Sequence, residues 1–150
     1  MQIPPEFIVS IDETDVPFDS PMTITLARRG SRTIPGASTG SSGRATAILG
    51  VSLNGEKLPV YLIFKAKPNA CVHREVTGNV VARGYPANVV MTVQDNAWCD
   101  IRVMTDWISW VWAPWLSARR SQHSYLMMDV FSAHMNSDVI ESLEKLGTEV

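Results

Sequence analysis

Cysteine is scarce in this chain: two in 150 residues, Cys71 and Cys99. That is too few for a disulfide framework, so any fold must rest on a packed core. Charge is scarce as well, at 19%, with a formal net charge of -2. Dedicated nucleic-acid-binding domains are usually basic, so bulk positive charge is excluded as the route to such a partner. A nucleic-acid enzyme is not excluded, because an acidic metal centre lowers net charge and its ions restore it locally. No apolar run approaches the roughly 18 residues of a membrane span. The opening Met-Gln-Ile-Pro-Pro-Glu lacks the basic and apolar segments of a secretion signal. The Gly- and Ser-rich stretch Gly36 to Gly43 lacks the lysine and hydroxyl residue of a phosphate-binding loop, because Arg44 and Ala45 stand there. By composition it reads as a flexible loop. Cys71, His73, Cys99 and His123 do not fall at zinc-site spacing. There is no internal repeat and no linker that would divide the chain.

What is present suits one compact domain over residues 1–150, with 45% apolar residues to build its core. Two short apolar runs stand out, because each ends in an aspartate. Phe7-Ile8-Val9-Ser10-Ile11 leads to Asp12 and then Glu13, and Tyr125-Leu126-Met127-Met128 leads to Asp129. Each reads as a strand delivering a carboxylate at its end. If the two strands are parallel neighbours about 4.8 Å apart, the aspartates project from one sheet edge. Carboxylates that close repel unless a cation lies between them. Hard, oxygen-liganded Mg²⁺ or Mn²⁺ fits, and a pair of ions supports phosphodiester chemistry. The bland alternative is that each aspartate is a turn former or helix cap after a strand. An aspartyl-phosphate phosphatase is a poorer fit, since such enzymes place a second aspartate two residues on, where Thr14 stands.

The remaining elements follow from pattern. Val16 to Asp19 reads as a turn and a short second strand. Two β-rich runs, 45–53 and 58–64, flank Asn54-Gly55 and predict a hairpin. Residues 66–88 read as irregular, and 89–93 as a strand. Thr105 to Ala113 predicts a helix capped by Thr105, with Trp107, Trp110 and Val111 on its buried face. Trp112 and Trp115, on either side of Pro114, are not placed by pattern. A second helix is expected over 137–146, with Val139, Ile140, Leu143 and Leu146 as its stripe and Gly147 as its stop. Thr148 to Val150 reads as the start of another strand. Strand alternation sends Glu13 to the face opposite Asp12, which favours a supporting role for it. His134 either orients the metal site or contacts phosphate, against the plainer reading of a histidine hydrogen-bonded within the turn before the last helix. Arg28, Arg29, Arg32, Arg44, Arg119 and Arg120 are candidates for tracking a DNA backbone, against a reading as scattered surface charge.

Four stretches, in order, carry a resemblance to a known family. They are Ile11-Asp12-Glu13-Thr14; Leu53 to Pro59 with Ile63-Phe64-Lys65-Ala66-Lys67; Asn96-Ala97-Trp98-Cys99-Asp100 leading to Trp107; and Leu126 to His134 around Asp129. The chain resembles the DDE superfamily endonuclease domain of pogo-like and mariner-like transposases, including jerky-like and centromere-protein-B-like relatives. The resemblance implies an α/β, ribonuclease-H-like mixed sheet flanked by helices. It makes Asp12 and Asp129 the first two catalytic, metal-binding acids, with His134 and Glu13 in support. It further implies two Mg²⁺ or Mn²⁺ ions, DNA as partner, a possible homodimer, no membrane and a nuclear location. The family's third acid lies in a Gln-Pro-Leu-Asp-like segment after one more strand, and this sequence does not contain that segment. The expectation is therefore a fold incomplete at its C-terminus and a chain that cleaves weakly or not at all. A domesticated remnant that binds DNA or protein without catalysis is the alternative.

Overall fold

A computed structural model describes residues 3–18, 29–30, 43–78, 80–120 and 123–150. Arg28, Arg32 and most of the Gly- and Ser-rich stretch lie outside these residues. Among the described residues, six strands form one mixed sheet: β1 (Ile8–Pro17), β2 (Arg44–Ser52), β3 (Val60–Lys65), β4 (Val89–Gln94), β5 (Ser124–Met127) and β6 (Thr148–Glu149). Their spatial order is β4-β3-β2-β1-β5-β6. The pairs β1–β2 and β2–β3 are antiparallel, and β1–β5, β3–β4 and β5–β6 are parallel. The parallel neighbour relation expected between the two aspartate-bearing strands is present.

Val16 and Pro17 do not form a turn. They extend β1 to ten residues, because β2 runs alongside as far as the Pro17–Arg44 pair. Between β2 and β3, Gly55 takes a φ of 89°, and its amide closes on the Ser52 carbonyl at 2.8 Å. A residue with a Cβ is strained at such a φ, hence Asn-Gly at the turn. The stretch expected to be irregular contains a short helix, α1 (Cys71–Val76).

The tryptophan-rich segment departs most from its expected form. Helix α2 (Ile101–Trp107) begins four residues before Thr105, because the Asp100 carboxylate caps it by accepting from the Val103 amide at 2.9 Å. Thr105 lies inside the helix and donates its hydroxyl to the Ile101 carbonyl. A π-turn, Ile108–Trp112, then leads into α3 (Ala113–Arg119). The wider turn rotates the following residues, so the buried stripe is Trp107, Ile108, Val111, Trp112, Trp115 and Leu116, while Trp110 is 67% exposed. Trp112 stacks on both Trp107 and Trp115, with ring centroids 5.8 and 5.4 Å apart. Helix α4 (Ser137–Glu144) is capped by Asn136 and buries Val139 and Leu143. These helices meet Val9, Ile11, Ile48, Tyr61, Ile63 and Leu126 of the sheet in one core. Ser10, Asp12, Leu49, Val51, Tyr125 and Met127 stand exposed on the opposite face of β1, β2 and β5.

Candidate metal centre

The parallel ladder positions the two aspartates. Ile8, Val9 and Ser10 of β1 pair with Tyr125, Leu126 and Met127 of β5. Counting on two residues in the same register brings Asp12 level with Asp129, just beyond the end of β5. β1 continues there because β2 still supports it, with Leu49 opposite Asp12. Asp12 is exposed and Asp129 has 66% of its side chain exposed. Both line one open depression of about 360 Å³, with Glu13, Asp15, Arg44, Thr46, Trp98, Cys99 and Phe131.

The four acids of this depression are not equivalent. Asp15 faces Arg44 at 3.8 Å across the surface. Glu13 bonds Nε2 of His134 at 2.8 Å. Asp129 Oδ1 bonds Nδ1 of the same ring at 2.8 Å. Asp12 Oδ1 accepts from the Glu13 amide at 2.9 Å. Asp12 and Asp129 therefore each turn one carboxylate oxygen to the protein and have a second available for a ligand.

His134 is fully buried at the head of the turn before α4, with Phe131 edge-on to its ring at 5.6 Å. Facing a carboxylate at each nitrogen, it satisfies both as an imidazolium. Burial disfavours that charge, but the hydrogen bond and charge of Glu13, then the bonds to Asp129, outweigh it and raise the pKa above its ordinary value. Burial likewise pushes Glu13 upward, yet His134 with smaller help from Cys99 holds it below the usual carboxylate range. Cys99 is buried and hydrogen-bonded to Glu13; burial first, then the Glu13 charge, drive its thiol pKa far up. In the metal-free protein it is a neutral thiol.

The loop carrying Trp98 and Cys99 is fixed from several sides. Thr46 donates to the Ala97 carbonyl at 2.7 Å. Gln94 accepts from the Asn96 and Trp98 amides and donates to the helix-capping Asp100. Trp98 is 59% exposed on the wall of the depression. Arg44 is brought to this depression, whereas Arg29 lies in an exposed turn and does not line it. Arg28 is outside the described residues.

Sequence reasoning assigned no role to Trp98 or Cys99 and did not pair Glu13 with His134. The signal for that pairing was available: an acid on the core face of a strand needs a partner, and His134 sits beside the second aspartate.

The sequence profile of the DDE superfamily endonuclease matches residues 42–149. The chain belongs to this family. The matched span contains Asp129 and His134; Asp12 precedes it. Among curated proteins, the chain is 27% identical over 141 residues to "Pogo transposable element with KRAB domain" of Mus musculus, and 26% identical to the Homo sapiens protein of the same name. Each match covers 93% of this chain and 21% of the relative, so the chain spans about a fifth of those proteins' length. Among solved structures, the Mos1 transposase in its paired-end complex with left transposon end superimposes with a TM-score of 0.59 at 13% identity. That match covers 97% of this chain and 35% of the Mos1 chain. The likeness establishes the fold as ribonuclease-H-like. The DDE family uses divalent metal ions, and carboxylate oxygens at an open edge are donors of the kind a hard divalent cation takes.

Proposed function

We propose that this chain is a DDE-type endonuclease domain of transposase origin, with DNA as its substrate class. In this reading Asp12 and Asp129 are the first two metal-holding acids of the catalytic centre. The observation that carries the reading is the shared register of β1 and β5, which levels Asp12 with Asp129 beside one open depression. Asp12 and Asp129 would hold the divalent ions, which when bound would supply Lewis-acid activation of water or a 3′-hydroxyl and stabilisation of the leaving oxygen. The chain's own residues hold the ions and orient the acids. His134 fixes the rotamer of Asp129 through Nδ1, and the Glu13 amide fixes Asp12. Arg44, at the rim beside Asp15, is the cation that the described residues bring to this depression for a backbone phosphate.

Glu13 is bonded to His134 and Asp15 stands at the rim 3.8 Å from Arg44, so Asp12 and Asp129 are the two carboxylates placed for the ions. We therefore propose weak metal affinity and weak or absent cleavage for the 150-residue chain. The test is Mn²⁺ titration followed by electron paramagnetic resonance, with nicking of supercoiled plasmid in parallel. Weak Mn²⁺ binding lost in both Asp12→Asn and Asp129→Asn is expected, with little nicking. Efficient Mn²⁺-dependent nicking abolished by Asp12→Ala sinks the weak-activity claim. DNA binding with no metal dependence, unchanged in both variants, favours a non-catalytic DNA-binding role instead.

A further inference from the structure

Beside the aspartate pair lies a second donor set of different chemistry. Glu13 Oε, Cys99 Sγ and a ring nitrogen of His134 lie within 4.8 Å of one another. His134 and Cys99 are buried, and Glu13 has 19% of its side chain exposed. They come from three separate places: β1, the loop before α2, and the turn before α4. We propose that Glu13, Cys99 and His134 form a binding site for a thiophilic divalent ion of the zinc class, distinct from the oxygen-liganded pair at Asp12 and Asp129.

Three features of the molecule carry this. The first is donor type. One thiolate, one imidazole and one carboxylate make a set that takes Zn²⁺ or Co²⁺ and gives Mg²⁺ little, since Mg²⁺ wants oxygen donors in a near-ideal octahedron. The second is the outer partner. His134 Nδ1 is bonded to Asp129 at 2.8 Å, which orients the ring and leaves Nε2 facing Glu13. A carboxylate behind a ligating histidine is the usual support of a zinc-bound imidazole. The third is the space. Bond lengths of about 2.0–2.3 Å in a tetrahedron put donors roughly 3.3–3.8 Å apart, a small adjustment from the arrangement present. Glu13 and Cys99 also line the depression, so a fourth position opens to it.

On loading, the ion takes the place of the proton that Nε2 shares with Glu13. Cys99 gives up its thiol proton as well, so two protons pass to solvent for each ion bound. The ion thereby answers a buried cysteine and a half-buried acid that share one hydrogen bond.

The inference stands independently of the reading of Asp12 as a catalytic acid, and Co²⁺ titration of the full 150-residue chain separates the two. A thiolate-to-cobalt charge-transfer band in the near ultraviolet and visible d–d bands of a four-coordinate ion are expected. They persist in Asp12→Asn and in Cys71→Ser, disappear in Cys99→Ala, and are removed by Zn²⁺ but not by excess Mg²⁺. Circular dichroism of the stacked tryptophans reports whether each variant is folded. A folded wild-type chain with no thiolate band overturns the proposal. So does a band that survives Cys99→Ala, is lost in Asp12→Asn or Cys71→Ser, or yields to Mg²⁺.

Discussion

His134 holds more of this site than either aspartate does. Removing its ring leaves Glu13 in the core face of β1 without its counter-charge, and opens a cavity beside Phe131. Breaking one partner of a buried pair typically costs about 3–5 kcal/mol. Urea denaturation of His134→Ala is expected to show a loss near the lower end of that range, because Glu13 retains some contact with water. Asp12→Ala removes an exposed carboxylate whose one bond is to the next residue's amide, so its stability stays within about 0.5 kcal/mol of wild type. A large loss for Asp12→Ala would mean that it is a structural residue. The contrast separates an exposed acid with an oxygen open to a ligand from a base that carries architecture.

The element most exposed to misreading is the α2–π-turn–α3 segment. Trp107 and Trp110 look alike in a helical pattern, three residues apart. The π-turn makes them opposites: Trp107 is 1% exposed and Trp110 67%. Trp107→Ala is expected to cost about 3–5 kcal/mol, and Trp110→Ser less than about 0.5 kcal/mol, in thermal or urea melts. Equal losses would show that Trp110 is packed as deeply as Trp107. The strands were legible because each is an alternating or apolar run bounded by turn residues, and the Asn54-Gly55 hairpin because its chemistry is local. The π-turn was not legible, since nothing in Ile108-Ser109-Trp110-Val111-Trp112 announces an extra residue. Its reason is tertiary: it aligns Trp107, Trp112 and Trp115 into one stack. Likewise the aspartates were found because strand ends are visible in sequence. The Cys99–Glu13–His134 cluster was not, because its members come from three distant segments.

At the scale of the whole molecule, the buried Glu13–His134 pair imposes a pH profile on metal-free stability. The pKa of His134 is raised above 6.5, so its contribution is complete below about pH 6.5 and is lost as pH rises through the folded-state value. The pKa of Glu13 is lowered below 4.5, so its contribution is complete above about pH 4.5 and is lost as pH falls through the folded-state value. The wild-type minus His134→Gln difference in urea midpoint is therefore expected to peak between about pH 4.5 and 6.5 and to shrink on both sides. A difference that keeps growing above pH 7 would contradict a charged His134. Acid and histidine sit where β1, the Cys99 loop and the α4 turn converge, so their titration is felt by the fold and not by one loop.

The two-residue strand β6 has a consequence of its own. So short an edge strand would ordinarily fray. Here the Thr148 hydroxyl is buried and shared, accepting from Trp112 Nε1 at 2.9 Å and lying 2.9 Å from Ser124 Oγ. The edge of the sheet is riveted to the middle of the tryptophan stack. Amide protons of Ser124 and Thr148 should then exchange with solvent deuterium only as the core itself opens, on the clock of Val111 and Leu126. Trp112→Phe, which keeps the ring and removes the rivet, should set that edge ticking faster while the rest of the sheet keeps its time.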